Sequence, residues 1–332
     1  MTLTPRIVLL VLLAGLGAGL PGPEGALAQE PFPTRPITIW VGFPPGGGTD
    51  ILTRALAEGL EKILKQKIVV MNRPGASGAV AASEIAKARP DGYTFVINTD
   101  TPITRSPHLL RDLDYEPFRD LTPLSRIASF KVVLYIRADS PHKTWRDVVE
   151  WARKNPGQLT FGHPGIASTP NLVMGRMAAK DGFTFRSIPF AGDAPTVSAL
   201  LGGHVVMGGG SSVTASSYVQ AKRVRILLVN DKEGLEYAPE ALSFEKAGYD
   251  VENATTVIAF GPRSLPRPVA ERLEKALGEA ARMEPFVSVA RKSEAAVGEP
   301  LTGQALTDYL RKVSANYEEL IKEAGLYKSE KK

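Results

Sequence analysis

The chain has 332 residues, a formal net charge of +5 and no cysteine. The absence of thiols excludes disulfides, lipoprotein acylation and thiolate metal sites, and the dispersed charge lacks the basic stripe with interleaved aromatics that nucleic acid requires. Without a leader, about 300 residues remain, more than one ordinary core accommodates, so two lobes are expected.

The N-terminus reads as an export signal. Arg6 gives a positive start, "IVLLVLLAGLGAGL" an apolar stretch, and Ala26-Leu27-Ala28 a small-residue cleavage site, so residues 1–28 are expected to be removed near Ala28. The apolar run is shorter than the roughly 20 residues a spanning helix needs. Arg6 and Glu24 cancel, so the charge survives cleavage. The mature protein is expected to be soluble and, in a Gram-negative host, periplasmic.

Next come strands and helices in alternation. Runs rich in β-branched residues predict strands at 37–42, 67–72, 93–98, 131–137, 159–162, 186–190, 204–208, 225–229 and 255–260. Helical patterns fall at 50–64, 78–88, 144–153, 170–180, 194–201, 213–221, 267–282 and 303–324. This is an α/β pattern with a mainly parallel sheet in each lobe. The "KRVR" at 222–225 reads as a solvated helix end before a strand. Two phrases look like passages between lobes, "SFKVVLYIRADSPHKTW" and "TTVIAFGPRSLPRPVAERL". The first lobe is then expected from residues 29–133 and 256–332, and the second from 134–255, with a cleft that closes by hinge motion.

No catalytic signature stands out. The chain has no G-x-S-x-G elbow and no H-E-x-x-H, and His108, His142, His163 and His204 are scattered. In "PPGGGTD" Asp50 stands where a phosphate-binding loop needs lysine and a hydroxyl. What recurs is the glycine-rich turn between a strand and a helix: "FPPGGGTD" (43–50), "NRPGASGAVA" (72–81) and "FGHPGIASTPNL" (161–172). Each offers unpaired N–H donors at a helix start, a suitable place for an anion. Any one of them alone is also an ordinary tight connection with a capping hydroxyl.

With these turns in view, the chain resembles the substrate-binding proteins of the tripartite tricarboxylate transporter system, the TctC or Bug (Bordetella uptake gene) family. The resemblance spans nearly all of the mature chain. Its most specific pieces are "PPGGGTD", "VVMNRPGASGAVAASEIAKARPDGYTF", "DYEPFRDLTPL", "PFAGDAPTVSALLGGHV" and "GPRSLPRPVAERL". It implies a two-lobed periplasmic-binding-protein fold of the Venus-flytrap, type II-like kind. It also implies a monomer without cofactor or metal that clamps a small organic acid and delivers it to TctA/TctB-like membrane permease subunits. The ligand residues it implies are Phe43, Pro44, Pro45, Gly46, Gly47, Gly48, Thr49 and Asp50 in the first loop, with Asp50 ordering the loop rather than touching the ligand. Gly75, Ala76 and Ser77 match the second loop, Thr99 follows the third strand, and Gly165, Ile166, Ala167 and Ser168 match the loop of the second lobe. Ala191, Gly192 and Asp193 complete the set.

Departures from the family pattern gather in the second lobe. Its G-x-G-S reads Gly165-Ile166-Ala167-Ser168, its Y-R/K/N-G-S/T-A-P reads "FAGDAP", and its GGQVD reads "GGHVV" with Val206 in place of a carboxylate. Asp193 is the sharpest of these. Either it caps the helix starting near Ala194, as Asp commonly does, or its carboxylate faces the cleft, repels a plain diacid and favours a ligand with a donor at its far end. Two rival readings of the whole chain are an exported hydrolase using Asp50 or Asp193 with a histidine, and a ligand-sensing partner of a sensor kinase.

Overall fold

Strand β1 (Ile37–Val41) buries Ile37, Ile39 and Val41 and leaves Thr38 and Trp40 partly exposed, the two-residue period of a pleated strand. Helix α1 (Gly48–Leu64) then buries Leu52, Leu56 and Leu60 at four-residue spacing, one stripe turned to the core. The structure, a computed structural model, describes residues 32–250, 254–323 and 326–328. The expected leader and its cleavage site lie outside the described residues.

The chain continues through β2 (Ile68–Asn72), a 3-10 turn at Ala76–Gly78, α2 (Ala79–Ala86) and β3 (Thr94–Thr99). Short helices α3 (Thr101–Thr104), α4 (Ser106–Leu109) and α5 (Pro117–Asp120) lead into β4 (Leu121–Phe130). The middle of the chain supplies β5 (Val132–Arg137), α6 (Trp145–Lys154), β6 (Leu159–His163), α7 (Thr169–Asp181), β7 (Phe185–Pro189) and α8 (Asp193–Leu201). It goes on with β8 (Met207–Ser211), α9 (Ser212–Gln220), β9 (Val224–Val229) and β10 (Leu242–Ser243). The last elements are β11 (Thr255–Pro262), α10 (Arg267–Ala280), α11 (Phe286–Lys292) and α12 (Gly303–Glu323).

These strands form two sheets, in the orders β2-β1-β3-β11-β4 and β10-β9-β5-β8-β6-β7. Every antiparallel pairing involves β5 or β11, and the remaining pairings are parallel. The reason is connectivity. β5 and β11 are the strands on which the chain enters one sheet from the other, and they run against their neighbours, whereas the βα units between them are parallel. Helices cover both faces of each sheet. Leu56, Leu277 and Phe286 pack on one face of the first sheet, with Ile85, Phe260 and Leu310 on the other. On the second sheet Trp145, Phe161 and Met174 lie on one face and Tyr135, Val197 and Leu200 on the other.

Two departures from the sequence reading are informative. Strand β4 is not among the predicted strands, because "LTPLSRIASF" contains a proline and no alternation. Covered on both sides, it buries seven-tenths of its length without a period of two, and its pairing with β11 slips register twice. The strand predicted at 204–208 lies instead at 207–211. Glycine has poor strand propensity, but Cβ atoms on Gly208 and Gly209 would strike the rings of Tyr135 and Phe161. "MGGGS" is a strand because it packs under buried aromatics.

The first passage between sheets falls at Lys131, between β4 and β5. Its ammonium lies 3.5 Å from Asp231 and 3.1 Å from Glu294, ahead of β10 and behind α11 respectively. The chain returns between β10 and β11.

Candidate binding site

The first loop is held by Asp50. The carboxylate accepts hydrogen bonds from the Gly46 main-chain N–H at 3.0 Å, from Arg54 Nε at 3.0 Å and from Asn72 Nδ2 at 2.8 Å, and Asn72 also donates to the Phe43 carbonyl at 2.8 Å. Burial pushes the Asp50 carboxyl up. The bonds from Arg54, Asn72 and Gly46 outweigh it and hold the group below the usual carboxylate range. Asp50 therefore orders the loop from behind, and Gly47, Gly48 and Thr49 form its buried inner side.

Two more loops are fixed in the same manner. Asn98 Nδ2 donates to the Gly78 carbonyl at 3.0 Å and sets the turn that carries Ser77. Asn171 Nδ2 donates to the Ile166 carbonyl at 2.8 Å. His163, fully buried, donates from Nδ1 to the Gly165 carbonyl at 2.9 Å and lies 2.7 Å from Ser187 Oγ through Nε2. Desolvation pushes its pKa down to about 4, although the Gly165 carbonyl opposes this. His163 is a neutral strut.

Between the two sheets these loops surround a cavity of about 30 Å³, enough to hold water. Of the residues expected at the site, Phe43, Gly47, Gly48, Thr49, Ser77, Thr99, Ser168 and Asp193 line it. The others do not. Pro45, Gly46, Ala76 and Ala191 are exposed, and Pro44, Gly75 and Ile166 are partly so. Asp50 faces Arg54 and Asn72, and Ala167 packs in an apolar cluster with Leu109, Tyr317 and Ile321. Gly165 and Gly192 mark where the halves meet: a Cβ on Gly192 would come 2.7 Å from Pro44 Cδ, and one on Gly165 would strike Ser77.

Thr101, Phe130, Val132, Pro164, Thr169, Pro170, Gly210, Ser211 and Thr255 also line the cavity and were not foreseen. Ser211 caps α9 by accepting from the Thr214 N–H. A signal was present, since "MGGGSSVT" is a fourth glycine run ahead of a helix, here with the glycines inside the strand itself. Thr169 joins the halves: its hydroxyl accepts from Arg105 Nη1 at 2.9 Å and lies 3.2 Å from Thr255 Oγ1. Arg105 is fully buried against Asp100 at 2.6 Å, Tyr317 at 2.8 Å and Thr101 at 2.7 Å.

The capping expectation for Asp193 is corrected. Gly192 is the N-cap of α8 with no side-chain bond, and Asp193 is the first helical residue. Its carboxylate instead accepts from Ser211 Oγ at 2.5 Å and Thr214 Oγ1 at 3.1 Å, on α9 and its cap. Burial pushes this carboxyl up, and the Ser211 and Thr214 hydroxyls and the Ser211 and Gly48 main-chain N–H groups partly oppose the rise. None of the described residues lining the cavity is Lys, Arg or His. The starts of α1, α7, α8 and α9 converge there with the Ser77 turn, and the Thr99 and Ser168 hydroxyls are buried without a partner. Such a site presents neutral donors and one carboxylate. It can bind and orient an anionic group through N–H and O–H donors without a cationic side chain.

The family model described as "Tripartite tricarboxylate transporter family receptor", TctC, matches residues 52–326. A relative from Cupriavidus necator, the "UPF0065 protein in gbd 5′ region", is 32% identical over 265 residues, covering 80% of this chain and 80% of its own. Among solved structures, the periplasmic binding protein BugD superposes with a TM-score of 0.84 at 25% identity, covering 89% of this chain and 99% of that one. The R. palustris protein Rpa4515 with adipate gives a TM-score of 0.83 at 27% identity, covering 89% and 98%.

Proposed function

Because the chain belongs to the TctC family of tripartite tricarboxylate transporter receptors, we propose that it is an exported solute-binding protein that captures a small organic carboxylate between two lobes. One lobe is built from both ends of the chain and the other from its middle. The signal peptide ends near Ala28, and the mature monomer works in the periplasm and hands its ligand to TctA/TctB-like permease subunits. It is a binder and not an enzyme.

The observation that carries this reading is the convergence of helix starts and unpartnered hydroxyls on one interlobe cavity. An adipate-bound relative of the same fold supports the ligand class. The first loop and the Ser77 turn hold one carboxylate by neutral donors, and the second lobe reads the other end. The test is a thermal-shift screen of organic acids. A ligand at about 100 times its dissociation constant adds about 2.7 kcal/mol of stability, so at least one acid is expected to raise the melting temperature by several degrees. A screen in which no carboxylate does so, or in which a bound one is chemically consumed, overturns the proposal.

A further inference from the structure

The Asp193 carboxylate is buried in the second half of the molecule, yet it reaches the start of α1 in the first. Ser211 and Thr214 both donate to Oδ2. Oδ1 lies over Gly210, where a Cβ would stand 2.7 Å away. Across the cleft Gly48 stands against the same group, where a Cβ would come 2.6 Å from Ser211 Oγ, and its main-chain N–H helps to offset the upward shift of the Asp193 carboxyl. Gly48 is the first residue of α1, the positive end of a 17-residue helix. The two halves thus meet through a donor pole on one side and an acceptor pole on the other.

A ligand entering the cleft separates these poles and must satisfy both. One of its ends has to accept hydrogen bonds from Gly48, from the Thr99 and Ser168 hydroxyls and from the Ser77 turn. The other end has to donate to Asp193. A carboxylate at both ends meets the first demand and fails the second. It would set a second carboxylate against the Asp193 carboxyl in a desolvated space with no cationic side chain among the lining residues, whereas an ammonium there favours the ionised Asp193. We infer that Asp193 is the selectivity-determining residue of this site and that the ligand is a carboxylate carrying an ammonium group at its far end, an amino acid in the broad sense. The inference rests on the reading of the chain as a carboxylate receptor and adds the chemistry of the second pole.

Several groups near Asp193 fit that role. Tyr135 stands behind it with a buried hydroxyl that has no partner, placed 3.2 Å from where a Gly210 Cβ would be. Gly208 and Gly210 leave the room that this Tyr–Asp pair occupies. The Ser211 and Thr214 hydroxyls fix the carboxylate plane, so an ammonium approaching from the cavity meets an acceptor already oriented.

The test compares two matched series, ω-amino acids and α,ω-diacids with equal numbers of chain atoms, for example 4-aminobutanoate against glutarate. Affinities are measured calorimetrically for the wild type, Asp193→Asn and Asp193→Ser, with thermal melts confirming that each variant is folded. In the wild type at least one amino acid is expected to bind tenfold or more tightly than its diacid partner. Asp193→Asn and Asp193→Ser are expected to bring that ratio to one or invert it. A wild type that prefers the diacid overturns the inference, and so does a ratio that both variants leave unchanged. If neither series binds at any length while other organic acids do, the inference also fails. Failure of every carboxylate, in contrast, counts against the function proposed above.

Discussion

His163 shows how the site is held and how the sequence was misleading. As one of four scattered histidines, it suggested no role. Folded, it is buried between the Gly165 carbonyl and Ser187 and keeps the third loop in place as a neutral ring. Its pKa falls from the ordinary 6.5 to about 4. A group whose folded pKa is depressed contributes stability above the unfolded pKa and loses it as pH falls through the folded one. Stability should therefore decline from about pH 6.5 to about pH 4, by on the order of 3 kcal/mol at 1.36 kcal/mol per pKa unit. Chemical denaturation of the wild type and His163→Asn across that window should show a steeper decline in the wild type, by about that amount, with the other acid-sensitive groups common to both. Parallel curves would mean that His163 does not charge there. Asp193 was legible as a departure but not as a geometry. Its choice between capping α8 and joining the α9 cap depends on Ser211 and Thr214, which are distant in sequence.

Among the elements, the glycine-rich turns were the readable part of the site. Each follows a strand and opens a helix, and from the first three Gly47, Gly48, Ser77 and Ser168 line the cavity. The β8–α9 turn follows the same rule, but its strand consists mostly of glycine, and the pattern that reveals strands gave it the wrong boundaries. Thr169 lies inside the third turn although it was not singled out there, whereas Thr255 could not be read locally, because the network that joins it to Thr169 runs through the buried Arg105. The start of α1 allows a direct test. Alanine is the best helix former, so Gly48→Ala should leave α1 and the fold intact, with a melting temperature lowered only as far as the closed contacts are lost. In the closed molecule its Cβ would stand 2.6 Å from Ser211 Oγ and 3.3 Å from Val213 Cβ. The variant should lose about tenfold or more in affinity for a carboxylate that binds the wild type, which is about 1.4 kcal/mol. Unchanged affinity in calorimetry would show that α1 and Ser211 do not meet in the bound state.

For the whole molecule, the two sheets and their passages explain why a small cavity serves a receptor. The cavity leaves only about 30 Å³ of free space between the halves, and in the reading proposed here they part to admit an organic acid. Among the described residues the chain passes between sheets at Lys131 and between β10 and β11, which suits rotation of two packed bodies. The cross-cleft contacts are the ones that opening breaks: Gly48 with the Asp193–Ser211 pair, Arg105 with Thr169, and Gly192 with Pro44. In the reading proposed here, a ligand replaces the first of these and draws the halves back together. Small-angle X-ray scattering of the mature protein, alone and saturated with an acid identified by thermal shift, measures this directly. Free in solution the molecule is expected to open at these contacts, so the radius of gyration should fall on saturation in the wild type and fall less in Gly48→Ala. A wild-type scattering curve that saturating ligand leaves unchanged would contradict capture by closure.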